Sequence, residues 1–256
     1  MIELQNLVKS FDGGKTFATR DVTLAIPRGQ FVAIIGGSGS GKTTLLKALN
    51  RLVEIDSGTV QISGESVRDM APYALRRRIG YVVQGIGLFP HMTVGENIGI
   101  TPRLLGWPRA EVLARIDELL DLVSLPRDYA KRSPASLSGG QRQRVGVARA
   151  LAARADILLM DEPFGALDPI TREALGIEYR RLHEQMHLTT LMVTHDVLEA
   201  VSLADRIVVM RDGHVAADGT PQELLDNHAD EGVRELMDMP RRQTQRVQAL
   251  LNGVAA

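Results

Sequence analysis

Residues 36–44 contain the amino-acid types that bind phosphate groups. They read Gly-Gly-Ser-Gly-Ser-Gly-Lys-Thr-Thr, follow the apolar run 31–35 and precede an amphipathic stretch. This is the strand, loop and helix setting of the spacing G-x-x-x-x-G-K-[ST]. Glycines let the backbone curl so that successive N–H groups face one concavity, and the partly positive end of the following helix points to the same place. We expect Lys42 to reach the β- and γ-phosphates of a nucleotide and the Thr43 hydroxyl to ligate Mg²⁺.

A flexible Gly/Ser turn is the alternative interpretation of this segment. The chain has only five lysines against 25 arginines, so arginine is its usual cation. A lysine at position 42 suits a compact ammonium that makes a point contact with phosphate. Together with the strand–helix setting, this favours a phosphate-binding loop. The residues expected around the phosphates are Gly36, Gly37, Ser38, Gly39, Ser40, Gly41, Lys42, Thr43 and Thr44.

Composition narrows the class of protein. The 256 residues fit one large domain, or one domain with a subdomain. A formal net charge of −1 argues against broad binding to nucleic acid, and the lack of cysteine excludes disulfides and thiolate metal sites. The first residues do not show the pattern of a secretory signal, and the sequence has no run of 18 apolar residues. We expect a cytosolic protein, or one attached to a membrane through a partner.

Apolar patterning predicts an α/β fold with a mostly parallel core sheet. Residues 2–26 alternate apolar and polar side chains around a Gly-Gly pair, which indicates antiparallel strands. Strands that alternate with helices imply right-handed βαβ crossovers. Residues 84–136 have a looser pattern and one clear helix that starts at Pro108, which indicates a helical insertion between two halves of the core. Further strands are predicted at 31–35, 59–62, 79–83, 156–161 and 189–193, and a hairpin at 206–217.

Two carboxylates, Asp161 and Glu162, follow the apolar strand residues 157–160. Ligands bind at the carboxyl edge of an open parallel sheet, so these side chains are placed for nucleotide chemistry. We expect Asp161 to hold Mg²⁺ through water and Glu162 to polarise the attacking water. The alternative is an acidic helix cap or a solvated turn, which is the ordinary explanation of an isolated Asp-Glu pair.

A second anion site is predicted at residues 137–141, which read Leu-Ser-Gly-Gly-Gln. Like the first site, it places glycine amides and a hydroxyl group before a helix. A Ser-Gly-Gly turn alone is a weak signal. Two anion sites in one chain nevertheless suggest that both address the same triphosphate.

In their order along the chain, these motifs resemble those of ATP-binding-cassette (ABC) ATPases, over about residues 2–225. The resemblance implies a P-loop NTPase core with a mostly parallel sheet, an N-terminal antiparallel β subdomain and an inserted helical subdomain. It also implies a head-to-tail homodimer, or a pair of related cassettes. In such a pair each ATP lies between the P-loop of one subunit, here residues 36–44, and the signature motif of the other, here residues 137–141. The residues that would contact ATP in trans are Ser138, Gly139, Gly140 and Gln141.

The resemblance assigns roles to four further positions. Gln84 resembles the glutamine that reaches Mg²⁺ and the attacking water, and His195 resembles the switch histidine that contacts the γ-phosphate. Phe11 resembles the aromatic residue that stacks on adenine, where the family more often has Tyr. Asp168 lies in a loop similar to the one through which the two active sites sense each other. Taken singly, Gln84 would fit a solvated loop and His195 a structural histidine, while Phe11 would fit ordinary packing and Asp168 a helix cap. The resulting assignment has Glu162, His195, Gln84 and Lys42 as catalytic residues, and Thr43, Gln84 and Asp161 as Mg²⁺ ligands.

The helical insertion is expected to meet a membrane partner. Residues 85–92 place apolar and aromatic side chains next to Gln84, and exposed apolar patches commonly mark partner sites. A buried loop is the alternative. In ABC ATPases this subdomain receives a short helix of the transmembrane permease subunits. We expect the cassette at 1–227, with the insertion at about 84–136, and a helical tail at 228–256.

Residues 78–94 are particularly similar to subunits that import quaternary-ammonium osmoprotectants such as glycine betaine, choline and carnitine, and residues 50–54 and 76–78 match that group too. The resemblance thus implies an importer subunit, peripheral on the cytoplasmic face of the plasma membrane and served indirectly by a substrate-binding protein. The alternatives are the ATPase of another importer or of an exporter and, less expected, a soluble cassette ATPase that acts on nucleic acid. We expect no nucleic-acid partner, since the chain has one cassette and no heptad run.

Overall fold

The computed structural model describes residues 1–226 and 230–251, and this part contains ten strands, nine α-helices and two short 3-10 helices at Arg127–Lys131 and Pro134–Ser136. Residue 227 of the predicted cassette, and residues 228–229 and 252–256 of the predicted tail, lie outside the described residues. The strands are β1 Ile2–Lys9, β2 Thr19–Ile26, β3 Phe31–Ile35, β4 Ser57–Ile62, β5 Glu65–Ser66, β6 Ile79–Val82, β7 Ile157–Asp161, β8 Thr189–Val193, β9 Arg206–Arg211 and β10 His214–Gly219. The helices are α1 Lys42–Leu49, α2 Pro72–Arg77, α3 Val94–Leu104, α4 Arg109–Leu122, α5 Gly139–Leu151, α6 Pro169–Met186, α7 Val197–Leu203, α8 Pro221–Leu225 and α9 Glu231–Leu251.

The predicted core sheet has six strands in the order β10-β9-β3-β8-β7-β6. The five strands from β9 to β6 run parallel to their neighbours, and only β10 is antiparallel, through its hairpin with β9. Asp212 and Gly213 form the hairpin turn with φ of 50° and 80°, which is the backbone that a type I′ turn needs. Because β3, β8, β7 and β6 are neighbours, the loops that follow them meet at one edge.

The predicted N-terminal antiparallel strands form a separate four-stranded sheet in the order β2-β1-β4-β5. Ile2 on the central strand pairs with Ile26 on one side and Ile62 on the other. The strand predicted at 59–62 is part of β4 and therefore belongs to this antiparallel sheet, not to the parallel sheet.

The apolar core lies on both faces of the parallel sheet. Phe31, Ala33 and Ile35 of β3 face one cluster, whereas Val32 and Ile34 face the other, so the strand is buried on both sides as its wholly apolar sequence indicates. The first cluster also includes residues of α3, α4 and α5. The helical insertion therefore packs directly onto the core. Among the described residues, none of the helices is long and apolar enough to cross a bilayer.

The helix α3 lies in the segment where the sequence pattern predicts no regular structure. Thr93 and Glu96 form a reciprocal capping box at its start, since each side chain accepts a hydrogen bond from the backbone of the other. Two glycines and Pro102 within the helix lower its intrinsic propensity and conceal it in the sequence. Before α3, Phe89 is exposed as expected, but Leu88 packs against the core, so the predicted exposed apolar patch is narrower than the sequence indicates.

Candidate nucleotide-binding site

The glycine-rich segment 36–44 follows β3, one of the two central strands of the six-stranded sheet, and its last three residues begin α1. Gly41 occupies the N-cap position of this helix, with no side-chain hydrogen bond to the first turn. Its backbone is left-handed, with φ of 98°. The segment thus has the strand–loop–helix geometry in which backbone N–H groups at a helix N-terminus bind an anion.

Two glycines of this loop lie against backbone carbonyls of distant segments, one just before β2 and one in β9. A Cβ atom at Gly41 would fall 1.9 Å from the Ala18 carbonyl oxygen, and one at Gly36 would fall 2.1 Å from that of Met210. Both positions also have positive φ, 98° and 147°. Only glycine fits here, so the loop is held between the start of β2 and the end of β9.

Lys42 is buried at the floor of the loop. Its ammonium group donates hydrogen bonds to the carbonyl oxygens of Gly36 and Gly37, at 2.9 and 2.7 Å, and to the Ser40 hydroxyl at 3.2 Å. Burial lowers the pKa of Lys42, while the negative charges of Glu162 and Asp161 act in the opposite direction. The loop thus encloses the Lys42 ammonium, as expected if this group binds phosphate oxygens.

Thr43 and Asp161 meet across 118 residues of sequence. The Thr43 hydroxyl donates to Oδ1 of Asp161 at 2.9 Å, and the Tyr81 phenol lies 3.4 Å from Oδ2 of the same carboxylate. Burial, followed by the nearby Asp161 charge, raises the pKa of Tyr81, so this phenol stays protonated as a donor. The sequence analysis did not identify Tyr81, because no local pattern around it indicates a contact with Asp161.

Glu162 lies between Gln84 and His195. The Gln84 amide donates to one carboxylate oxygen of Glu162 at 3.0 Å, and Nδ1 of His195 lies 3.5 Å from the other. Glu162 has a left-handed backbone, with φ of 47°, and its N–H donates to the Val193 carbonyl. A non-glycine residue in this region stores about 1–3 kcal/mol of strain, and such strain is concentrated at functional sites. The structure therefore brings together three of the four predicted catalytic residues.

The oxygen donors at this edge suit Mg²⁺. Thr43 offers a hydroxyl, Asp161 a carboxylate and Gln84 an amide oxygen, all hard ligands of the kind that Mg²⁺ prefers. Within the described part of the chain, no group of three His, Asp or Glu residues could hold a metal ion alone. A few protein ligands completed by substrate phosphates and water are the usual arrangement for Mg²⁺.

The second predicted anion site caps α5. Ser138 accepts a hydrogen bond from the Gln141 N–H at 3.2 Å, and the Gln141 side chain accepts one from the Ser138 N–H at 3.0 Å. A Cβ atom at Gly140 would lie 2.7 Å from Cγ2 of Thr171, so a larger residue there would have to displace the Thr171 side chain. Among residues 1–226 and 230–251, no hydrogen bond or ion pair joins residues 138–141 to residues 36–44. The two sites are thus separate within one chain.

Two other predicted positions lie in well-defined loops. Phe11 is 67% exposed, and Nζ of Lys9 lies 5.3 Å from its ring centre. The following residue, Asp12, accepts hydrogen bonds from the N–H groups of Lys15 and Thr16 and fixes this loop. Asp168 caps α6 by accepting from the Thr171 N–H at 3.0 Å. The adenine contact of Phe11 and the communication role of residues 166–168 stay predictions.

Comparison with known proteins gives a consistent result. A sequence profile of the family described as "ABC transporter" matches residues 19–165. The choline transport ATP-binding protein OpuBA of Bacillus subtilis strain 168 is 50% identical over 241 residues, which are 94% of this chain and 63% of OpuBA. The glycine betaine uptake system ATP-binding protein YehX of Escherichia coli K12 is 49% identical over 235 residues, 92% of this chain and 76% of YehX.

A solved structure shares the fold. The ATP-binding cassette MJ0796, in a dimeric post-hydrolysis state bound to ADP and Pi, matches with a TM-score of 0.77 at 34% identity, over 86% of this chain and 98% of that one. The fold and the loop at the centre of its parallel sheet are those of an ATP-binding cassette. The chain belongs to the ABC transporter family. It spans less than two thirds of the length of OpuBA.

Proposed function

We propose that this chain is the ATP-hydrolysing, energy-coupling subunit of an ABC transporter. The observation that carries the proposal is the convergence of Lys42, Thr43, Asp161, Glu162 and Gln84 on one edge of the parallel sheet. Positioning and electrostatic stabilisation account for most of the catalysis of phosphoryl transfer. This edge provides both, with a buried cation beside four oxygen-bearing side chains.

Each residue has a definite part in the proposed reaction. The N–H groups of residues 36–44 and the Lys42 ammonium bind the β- and γ-phosphates of ATP, and the exposed Phe11 ring stacks on the adenine. Glu162 accepts a proton from the attacking water, which Gln84 and His195 help to orient. Thr43, Gln84 and Asp161 would hold Mg²⁺, which neutralises charge on the phosphates when bound.

The active site is proposed to be completed by a second copy of the chain. Ser138 and the N-terminal amides of α5 form an anion site that has no bond to the P-loop of its own chain. A head-to-tail pair would place Ser138, Gly139, Gly140 and Gln141 of one copy over the γ-phosphate bound by the other. The dimeric state of MJ0796 supports this arrangement.

The permease is proposed to contact the helical insertion. A surface cavity of about 560 Å³ opens beside α3, and Leu104 next to it is 78% exposed. Such an apolar opening with a charged rim suits a short helix of a partner. The chain would then sit peripherally on the cytoplasmic face of the membrane, with a substrate-binding protein acting only through the permease. The cavity is lined by His91, Met92, Glu96, Ile100, Arg103 and Leu104.

The transported solute is proposed to be a quaternary-ammonium osmoprotectant such as glycine betaine or choline. Identities of 49–50% to OpuBA and YehX, over more than nine tenths of the chain, support this solute class. The test is uptake of radiolabelled choline and glycine betaine by a strain from which the gene is deleted and then restored, with Lys42→Ala as the inactive control. Uptake that depends on Lys42 supports the assignment, and unchanged uptake of both solutes after deletion rejects it.

The head-to-tail dimer can be tested because the chain has no cysteine. A Ser38→Cys, Ser138→Cys variant is treated with a short bis-maleimide, with and without ATP, in the Glu162→Gln background. We expect a product of twice the monomer mass that requires ATP. The matched control replaces Ser138→Cys by Ser133→Cys, an exposed serine five residues earlier. Crosslinking within the monomer, or equal yields from both pairs, would contradict the arrangement.

A further inference from the structure

Arg149 near the end of α5 contacts the loop that follows Gln84. Its guanidinium donates to the carbonyl oxygens of Gly87 and Ile86, at 2.7 and 3.0 Å. Its Cζ atom also lies 5.7 Å from the centre of the Phe89 ring. Burial lowers the pKa of Arg149, and no described carboxylate forms an ion pair with it. The contacts with the two carbonyls and the ring therefore compensate the Arg149 guanidinium for the hydration that it loses on burial.

The contacted loop has a backbone that its own sequence disfavours. Gly85, Ile86 and Gly87, which we call the 85–87 loop, have φ of 77°, 71° and 56° in succession. A β-branched residue such as isoleucine rarely adopts the left-handed region, so its neighbours have to hold it there. Gly146 of α5 provides the space, because a Cβ atom at this position would lie 3.3 Å from Cγ2 of Ile86.

Arg149 therefore connects two parts of the proposed active site. The 85–87 loop begins next to Gln84, which contacts Glu162. The helix α5 runs from Gly139 to Leu151, and the Ser138 cap lies at its other end. A helix with both ends fixed transmits displacement as a rigid element. A movement of Ser138 towards a partner's nucleotide would thus displace the 85–87 loop, and Gln84 with it.

We propose that Arg149 is a positioning residue that fixes Gln84 to the helix α5, so that the Gln84 amide and the Ser138 cap move as one unit. The inference rests on the proposed role of Gln84 in ATP hydrolysis. It adds Arg149, which lies at the end of α5 away from Ser138, as the residue that holds Gln84 in place. The side-chain contacts of Arg149 are with Ile86, Gly87 and Phe89, none of which is among the residues proposed to bind ATP or to activate water. Its loss should alter the chemical step and leave nucleotide affinity almost unchanged.

The first test compares Arg149→Ala with Arg154→Ala. Arg154 is the matched control because it also contacts an aromatic ring near the insertion, that of Trp107 at 5.3 Å, without touching the 85–87 loop. We expect Arg149→Ala to lower kcat roughly 10- to 100-fold with the Kd for ATP within about twofold of the unmodified chain. Equal kcat for the two variants, or a loss of ATP affinity that matches the loss of kcat, overturns the proposal.

A reversible crosslink provides the second readout. The 3.3 Å approach of Ile86 to the Gly146 position brings an engineered cysteine pair within disulfide reach. In the Arg149→Ala background, Ile86→Cys with Gly146→Cys should regain at least about half of the lost kcat on oxidation and lose it again on reduction. A general stabilising role of Arg149 would raise the thermal midpoint on oxidation without restoring kcat, and that result overturns the proposal.

If Arg149→Ala fails to fold, Arg149→Lys provides the same test in a milder variant. The lysine keeps the charge and the long stem but replaces the two-pronged donor by a single ammonium, so the same fall in kcat without loss of affinity is expected. The proposed function fails separately, because it predicts ATPase activity of the unmodified chain that Glu162→Gln abolishes. Activity that survives in both Arg149 variants contradicts only the inference.

Discussion

Gln84 donates a hydrogen bond to Glu162 across 78 residues of sequence, 3.0 Å from Nε2 to Oε2. The bond fixes one oxygen of the carboxylate and leaves the other towards the His195 ring. An acceptor held in this way keeps its lone pairs aligned before a substrate arrives. The pair therefore links the end of β6 to the end of β7, next to the loop in which the nucleotide is proposed to bind.

Glu162→Gln should preserve ATP binding and lower kcat by at least about 100-fold, because the amide cannot take a proton from water. Steady-state phosphate release and equilibrium ATP binding measure the two effects. Glu173→Gln is the control, since Glu173 is an exposed residue of α6. A variant at Glu162 with the turnover of the unmodified chain would falsify its role as the base.

Lys42→Ala and Lys42→Arg should both lose ATP affinity by at least about 100-fold. The ammonium lies within hydrogen-bond distance of three loop oxygens, and a planar guanidinium is too large for this space. Isothermal titration with ATP gives the Kd. Lys47→Ala, in the same helix, should bind ATP normally, and a similar loss there would show that the effect is not specific to position 42.

Gly41→Ala should lower the free energy of unfolding by at least about 3 kcal/mol, since the backbone has positive φ and the added Cβ meets the Ala18 carbonyl. Gly37→Ala should change it by less than about 0.5 kcal/mol, because no atom lies within 4 Å of a Cβ at that position. Urea unfolding of both variants gives the difference. Equal destabilisation would contradict the close approach of the Ala18 carbonyl to the loop.

Asp12 should make the Phe11 loop sensitive to acid. Hydrogen bonds, chiefly from Thr16, lower the pKa of Asp12 from 3.8 to about 2. A carboxyl group with a depressed folded-state pKa stabilises above its unfolded value and loses this contribution as pH falls towards the folded value. Protection of the Thr16 amide from hydrogen exchange should therefore be complete above about pH 4 and decline towards pH 2. Asp12→Asn should reduce this protection already at neutral pH, and an unchanged rate in that variant would exclude the mechanism.

The parts of the candidate site that depend on short local motifs could be predicted from the sequence. The P-loop, the Asp161–Glu162 pair and the Ser138–Gln141 cap each depend on a short local pattern, because phosphate binding needs adjacent amides and a defined helix start. The parallel sheet follows from wholly apolar strands such as β3 and β7. The structure places these elements where the patterns predict them.

Contacts between distant segments could not be predicted in this way. Nothing near Tyr81 indicates that its phenol reaches Asp161, and nothing near Arg149 indicates that it contacts the 85–87 loop. Both depend on the order of strands in the sheet and on helix orientation, which are tertiary properties. The helix α3 was concealed for a local reason, since its glycines pack against Ala130 and Ile116 at the expense of helix propensity.

The carbonyl oxygens of Ala18, just before β2, and of Met210, in β9, lie against Gly41 and Gly36 of the P-loop. The backbone conformation of the loop is therefore set by the fold before any nucleotide arrives, so phosphate binding need not pay to organise it.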